Sequence, residues 1–173
     1  MTAKGHVLLA INLAIQPVMY IYHTHSINIA LLSFFVVVAA SLLPDIDEPK
    51  SYIGHKFWFF AHFLKLLGVK HRTLTHWLIT PLILVLIGAN LNNAYFQFTL
   101  FSVAFGMLAH DVGDMLTKGG IHGFFFPLFP NSKIVLLPNF LLFETFSVAE
   151  MIINQFLLIS IFVQGYLIYV SQV

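Results

Sequence analysis

The sequence predicts an all-α, polytopic membrane bundle of four to five spans with one re-entrant or interfacial segment. Three observations lead there. Hydrophobic residues make up 59% of the 173 and charged residues only 9%, whereas a soluble domain carries about 25% charged residues. Long stretches without any Lys, Arg, Asp or Glu alternate with short polar ones. All eight basic residues fall on one side of the membrane once spans are drawn through those stretches. So few charges cannot cover a water-soluble globule, and a mean hydropathy of +0.89 agrees, so a soluble enzyme and a disordered chain are excluded. A net charge of +1 gives no field to hold DNA or RNA, so no nucleic-acid partner is expected. The absence of cysteine removes disulfides, thiolate metal sites and cysteine nucleophiles. The length suits a single domain over residues 1–173.

The charge-free stretches are residues 5–44, 73–110 and 151–173. A helical span needs about 20 apolar residues, so each of the first two holds a pair. The first pair breaks at Tyr22-His23-Thr24-His25-Ser26. The second breaks at the turn signal Gly88-Ala89-Asn90-Leu91-Asn92-Asn93. Spans are expected at 6–22, 27–43, 75–92, 95–117 and 148–170, the first read as an uncleaved helix rather than a signal peptide. Lys4 precedes the first span, Lys50, Lys56, Lys65, Lys70 and Arg72 lie between the second and third, and Lys118 and Lys133 follow the fourth. By the positive-inside rule that side is cytoplasmic. Residues 50–70 repeat Phe57, Phe60, Ala61, Leu64, Leu67 and Gly68 every three to four positions, as an amphipathic helix on the inner leaflet would. Residues 119–143 are apolar but broken by Gly and Pro. Irregular backbone at membrane depth must be buried or line a cavity, hence the re-entrant or interfacial expectation.

Three polar clusters interrupt this pattern. They are Leu43-Pro44-Asp45-Ile46-Asp47, His71-Arg72-Thr73-Leu74-Thr75-His76, and residues 110–117 with His110, Asp111 and Asp114; His6 adds a fourth point. The spans alternate in direction, yet all four groups map to one membrane face. Ionisable residues at the edge of a bilayer are costly and mark functional sites. His110 and Asp114, four apart, share a helix face and can hold one ion. Asp111 points about 100° away and is a weaker candidate. His71 and His76 meet only if His71 precedes the helix, with Thr73 near its N-cap. Asp45 and Asp47 follow Pro44 in non-helical chain. Histidine and aspartate without cysteine suit a divalent metal, zinc first, with manganese or iron as options. His122 is a lesser ligand candidate, and Glu144 or Glu150 could support the ligands. His23, His25, His55 and His62 are expected to be ordinary surface or headgroup-facing residues.

The chain contains no HExxH, GxSxG, GxxxxGK[ST] or GxGxxG pattern, which disfavours zincin, serine-hydrolase and nucleotide chemistry. The stretches Met1-Thr2-Ala3-Lys4-Gly5-His6, Leu42 to Ser51 through Pro44-Asp45-Ile46-Asp47, His71-Arg72-Thr73-Leu74-Thr75-His76, and His110 through Asp114 to Thr117 with Gly120 resemble the YdjM-like family of bacterial inner-membrane proteins, described as LexA-regulated predicted metal-dependent hydrolases. The likeness runs to about Pro138 and does not reach the last span. Trp77 departs from the family's small hydroxyl residue, which bears on local packing or substrate access. More remotely, the pattern is similar to the zinc-dependent phospholipase C and P1-type nuclease group.

The resemblance implies a hydrolase of the cytoplasmic membrane cleaving a phosphoester, with membrane lipid as its surroundings and substrate. His6, Asp45, Asp47, His71, His76, His110 and Asp114 would be the ligands of one metal site, expected to hold two or more ions. Asp45 or Asp47 would take a proton from water, as bridging ligand or general base. Arg72 or a second ion would offset charge on a phosphoryl oxygen. The alternative is a non-catalytic metal-binding or transport protein, although a transporter would set its polar residues nearer mid-membrane.

Overall fold

The computed structural model describes residues 1–69 and 71–171; the basic residue Lys70 lies outside the described residues. Among the described residues are seven α-helices: α1 (Ala3–Thr24), α2 (Ile27–Ala40), α3 (Tyr52–Lys56), α4 (Trp58–Leu66), α5 (Ile79–Ala89), α6 (Ala94–Met115) and α7 (Val148–Ser171). Two 3-10 turns (Leu43–Asp47 and Leu74–His76) and a two-stranded ribbon of β1 (Ile121–His122) and β2 (Lys133–Ile134) complete the fold. The ribbon is antiparallel, pairing Ile121 with Ile134 and His122 with Lys133.

The polar punctuation sets the helix ends. Thr2 caps α1 by accepting from the Gly5 N–H, and Ser26 caps α2 by accepting from the Ile29 N–H. Each hydroxyl satisfies a backbone donor that the first turn leaves free. Three stretches are long and apolar enough to cross a membrane: Ala3–Thr24, Ile27–Asp47 and Val148–Ser171. α6 matches them in length, but His110, Asp111 and Asp114 in its last two turns make it less apolar. α5 has 11 residues and spans about 16 Å, shorter than the expected 75–92. Pro81 sits in its first turn, where a missing N–H does no harm, and the preceding chain is taken up by the 3-10 turn.

α1, α2 and α6 form the central bundle. Their shared core is small: Ala10, Ala14, Val37 and Ala109. Lipid tails are as apolar as side chains, so membrane helices are drawn together by close packing rather than by escape from water. Gly106 shows how close the approach is, because a Cβ there would lie 2.5 Å from the Val37 carbonyl oxygen. α7 packs on α1, joined by polar bonds: Asn12 Nδ2 donates to the Leu157 carbonyl (2.9 Å), and Gln164 Nε2 donates to Asn12 Oδ1 (3.1 Å).

Two expectations change in form. The single amphipathic helix over 50–70 is two short helices broken at Phe57, which has φ −109° and ψ 44°. Ala61 and Leu64 are buried, whereas Phe57, Phe60 and Leu67 from the same periodic set are exposed. Residues 119–147 fold back over the end of α6, where Ile121, Phe124 and Met115 share a small core with Leu78 and Ile134 packed against it. Leu128, Phe129 and Phe140 remain exposed on this cap. Trp77 stacks on its Phe126 (centroids 3.9 Å apart, 13° between planes), so the bulky residue in this position serves local packing.

Candidate metal centre

Four pieces of chain meet at one end of the bundle: the first turn of α1, the 3-10 turn after α2, residues 71–76, and the last turns of α6. They bring Asp45, His76, His110 and Asp114 together, each offering one donor atom within 4.8 Å of the others. His76 Nε2 lies 3.3 Å from His110 Nε2, and each lies 3.6 Å from Asp114 Oδ2. Asp45 Oδ1 is 3.6 Å from His110 Nε2. Donors at the corners of a tetrahedron with bonds of 2.0–2.2 Å lie about 3.3–3.6 Å apart.

The hydrogen bonds fix which ring nitrogens face this point. His110 Nδ1 is 2.7 Å from the Ser41 carbonyl oxygen, which can only accept, so Nδ1 carries a proton and, in the neutral ring, Nε2 presents a lone pair. The Thr75 hydroxyl donates to Asp47 Oδ2 (2.9 Å) and so accepts from His76 Nδ1 (3.0 Å). His76 Nε2 therefore also presents a lone pair. The short contact between the two Nε2 atoms cannot be a hydrogen bond between neutral rings. Asp114 Oδ2, aimed at both, has no hydrogen-bond partner among the described residues. Lone pairs converging without a proton between them are what a cation requires, and this group of donors could hold a metal ion.

The remaining predicted residues surround this group. His6 is fully buried, stacks on His110 (3.6 Å between centroids, 7°), and sets Nε2 3.4 Å from Asp114 Oδ1. Asp114 Oδ1 also meets Arg72 Nη2 (2.9 Å) and the Met1 ammonium (2.6 Å). Asp47 is buried and stands behind His71: its Oδ1 accepts from Nδ1 at 2.9 Å, leaving His71 Nε2 3.8 Å from Asp45 Oδ1. Every one of the seven predicted ligand residues thus lies within 3.8 Å of another member. Burial opposes the charged form of His71, but the bond to Asp47 and the charges of Asp47 and Asp45 outweigh it and hold the imidazole pKa above its ordinary value.

His71 and His76 meet edge to face at 5.7 Å, off any helix. Arg72 between them takes φ 62°, a left-handed conformation uncommon for a residue with a Cβ. That turn sends the guanidinium under α6, where Nη1 donates to the Gly120 carbonyl (3.1 Å) and Thr117 Oγ1 (3.4 Å). Gly119 leaves the room, since a Cβ there would strike Arg72 Nη1. His122 is exposed and stays outside the centre. Glu144 is exposed and pairs with Lys118, whereas Glu150 is buried and accepts from the Thr2 and Phe146 N–H groups (2.6 and 2.7 Å). Thr75 and the Ser41 carbonyl are site groups that the sequence reading missed; only the position of Thr75 inside the His71–His76 cluster hints at it. Asp111 is 1% exposed, and neither of its oxygens has a hydrogen-bond partner among the described residues. A cleft of about 450 Å³ opens beside Asp45, His71 and Arg72.

The fold and centre define a helical membrane protein with a buried histidine–aspartate group at one rim that could bind a metal ion. The chain belongs to the YdjM inner membrane protein family, whose model matches residues 1–171. It is accordingly an inner membrane protein, and the match takes in α7, beyond the motif-bearing stretch that ends near Pro138. No curated protein and no solved structure matches it significantly.

Replacing the converging donors should empty the centre. His110→Ala and Asp114→Asn should bring metal in the purified protein down to background by elemental analysis, while His62→Ala and His122→Ala keep the wild-type content. Equal content in all four would contradict the assignment.

Proposed function

We propose that the protein is a metal-dependent hydrolase of a membrane-borne phosphoester, a phospholipid foremost, working at the cytoplasmic leaflet. The observation that supports it most is the pairing of an ion-ready donor set with a histidine–aspartate dyad beside an open cleft. An ion held by Asp45, His76, His110 and Asp114, zinc in the first place, supplies Lewis acidity and lowers the pKa of water toward about 7. His6, whose Nε2 lies 3.4 Å from Asp114 Oδ1, would be a further ligand.

The chain's own groups then divide the work. Asp47 accepts from His71 Nδ1, which fixes the tautomer so that the neutral ring turns its Nε2 lone pair toward Asp45 at the cleft, and makes that nitrogen more basic. From there His71 takes the proton of the attacking water and returns it to the leaving oxygen. Asp47 thus serves as the orienting partner of the base, and Asp45 as a ligand. Thr75 ties this dyad to His76, so base and ligand move as one unit. Arg72 fixes the rotamer of Asp114, and its charge at the edge of the cleft offsets charge growing on the phosphoryl oxygen.

The same reading takes α1, α2, α6 and α7 across the membrane, with α5 and its preceding turn as the remaining, shorter crossing. The cap over residues 119–147 then lies at the interface with its exposed Phe and Leu residues in lipid, as do Phe57, Trp58 and Phe60. The positive-inside rule, applied to the basic residues, supports a cytoplasmic location for this end.

Turnover should be seen with purified protein on phosphatidylglycerol or phosphatidic acid in mixed micelles, and a chelator should abolish it. His71→Gln should lower kcat by about 10²–10⁴-fold with metal content retained. Metal binding without chelator-sensitive turnover on any membrane ester would favour a non-catalytic metal-binding or transport role. Orientation is open to single-cysteine labelling, because the chain has no cysteine of its own. His23→Cys and Asn92→Cys should react with an impermeant maleimide in intact cells, and His55→Cys only after lysis. The reverse pattern would put the centre on the periplasmic side.

A further inference from the structure

The cleft beside Asp45 and His71 is not a closed cup. Its wall includes Thr2, Lys4 and Phe146, and the same three residues begin a second groove of about 230 Å³ along the start of α7, past Met151, Asn154 and Gln155. The groove follows the first two turns of α7 where they pass the start of α1, and both helices are apolar and long enough to cross a membrane. Its lining surface is largely apolar. Glu150 holds the junction in shape by accepting from the N–H groups of Thr2 on one wall and Phe146 on the other. Phe146 itself takes φ 65° and is 84% exposed, standing where cleft and groove meet.

Charge is distributed along the path in the order a lipid would need. Lys4, at the junction, and Lys50, on the cleft wall, are exposed, and their ammonium groups have no ion-pair or hydrogen-bond partner among the described residues. Glu48, the other acidic wall residue beside Asp45, has one oxygen turned to the backbone N–H of Lys50 at 3.1 Å. A cation at a junction between a polar cleft and an apolar groove matches a phosphate joined to acyl chains. A soluble phosphoester would use the cleft and leave the groove without purpose.

We infer that the seam between α1 and α7 is a lateral lipid port: a glycerophospholipid passes from the inner leaflet with its phosphate against Lys4 and Lys50 and one acyl chain in the groove beside Met151. The port rests on the hydrolase reading for its purpose, but binding along it needs no turnover. Full-length protein in phosphatidylcholine nanodiscs, doped with phosphatidic acid bearing a diazirine on one acyl chain, gives a direct readout with chelator present. After irradiation, peptide mass spectrometry should locate the label on the first turns of α1 and on Val148 to Gln155. Lys4→Glu and Met151→Trp should each lower that labelling about tenfold, the loss expected for one charge-assisted contact or a filled groove. Phe156→Trp, on a lipid-facing position that is 67% exposed, should not. A diacylglycerol probe with the same diazirine should be indifferent to Lys4→Glu. Label spread evenly over the outer faces of α2, α5 and α7, or unchanged by both Lys4→Glu and Met151→Trp, would overturn the port. Localised label in a protein without turnover would support the port and remove only the hydrolase reading.

Discussion

Lone pairs that face one another in a buried place are the constraint on which the rest of the structure turns. His76 and His110 each commit the Nδ1 proton to an oxygen, of Thr75 and of the Ser41 carbonyl, so their Nε2 atoms meet at 3.3 Å with no proton to share. Asp114 Oδ2 adds negative charge at 3.6 Å from both. Left alone, such a group is repulsive and poorly solvated, and burying it is costly. A cation at its centre would turn each repulsion into a bond. The surrounding polar groups then make sense as supports, each one holding a donor in the orientation the ion needs.

The supports come from irregular chain, and this explains why the centre lies at the rim of the bundle. A continuous helix presents residues five apart on different faces, so His71 and His76 could not converge within one. The left-handed turn at Arg72 and the 3-10 turns at Leu43–Asp47 and Leu74–His76 supply directions a straight helix lacks. Backbone of this kind is tolerated next to a bilayer where it is buried in protein, and the cap over residues 119–147 does part of that burying. Small residues in α1, α2 and α6 allow the helices to approach closely enough for their polar ends to touch.

Much of this was legible in the sequence, and what was not has physical reasons. Charge-free stretches and polar breaks located α1, α2, α6 and α7 within a few residues, because desolvation decides where a chain enters lipid. The gathering of His6, Asp45, Asp47, His71, His76, His110 and Asp114 was legible too, since helices that alternate in direction return every second end to the same side. The division of roles was not. Nothing in the order Asp45-Ile46-Asp47 tells which carboxylate turns inward to Thr75 and His71 and which faces His110. That depends on the twist of a five-residue 3-10 turn. α5 was overestimated because hydropathy does not register that the chain before it is needed to place His76. Thr75 escaped notice because a hydroxyl that bridges a carboxylate acceptor and an imidazole donor carries no compositional signal. α7 bears none of the motifs, yet its Glu150 anchors the start of α1.

X-ray absorption at the edge of the bound metal tests the central claim most directly. The account predicts a tightly held ion in each chain with a first shell of nitrogen and oxygen at about 2.0–2.2 Å, no sulfur, and the multiple-scattering signature of at least two imidazoles. A shell of oxygen alone, without imidazole scattering, or a purified protein that takes up no stoichiometric ion, would contradict it.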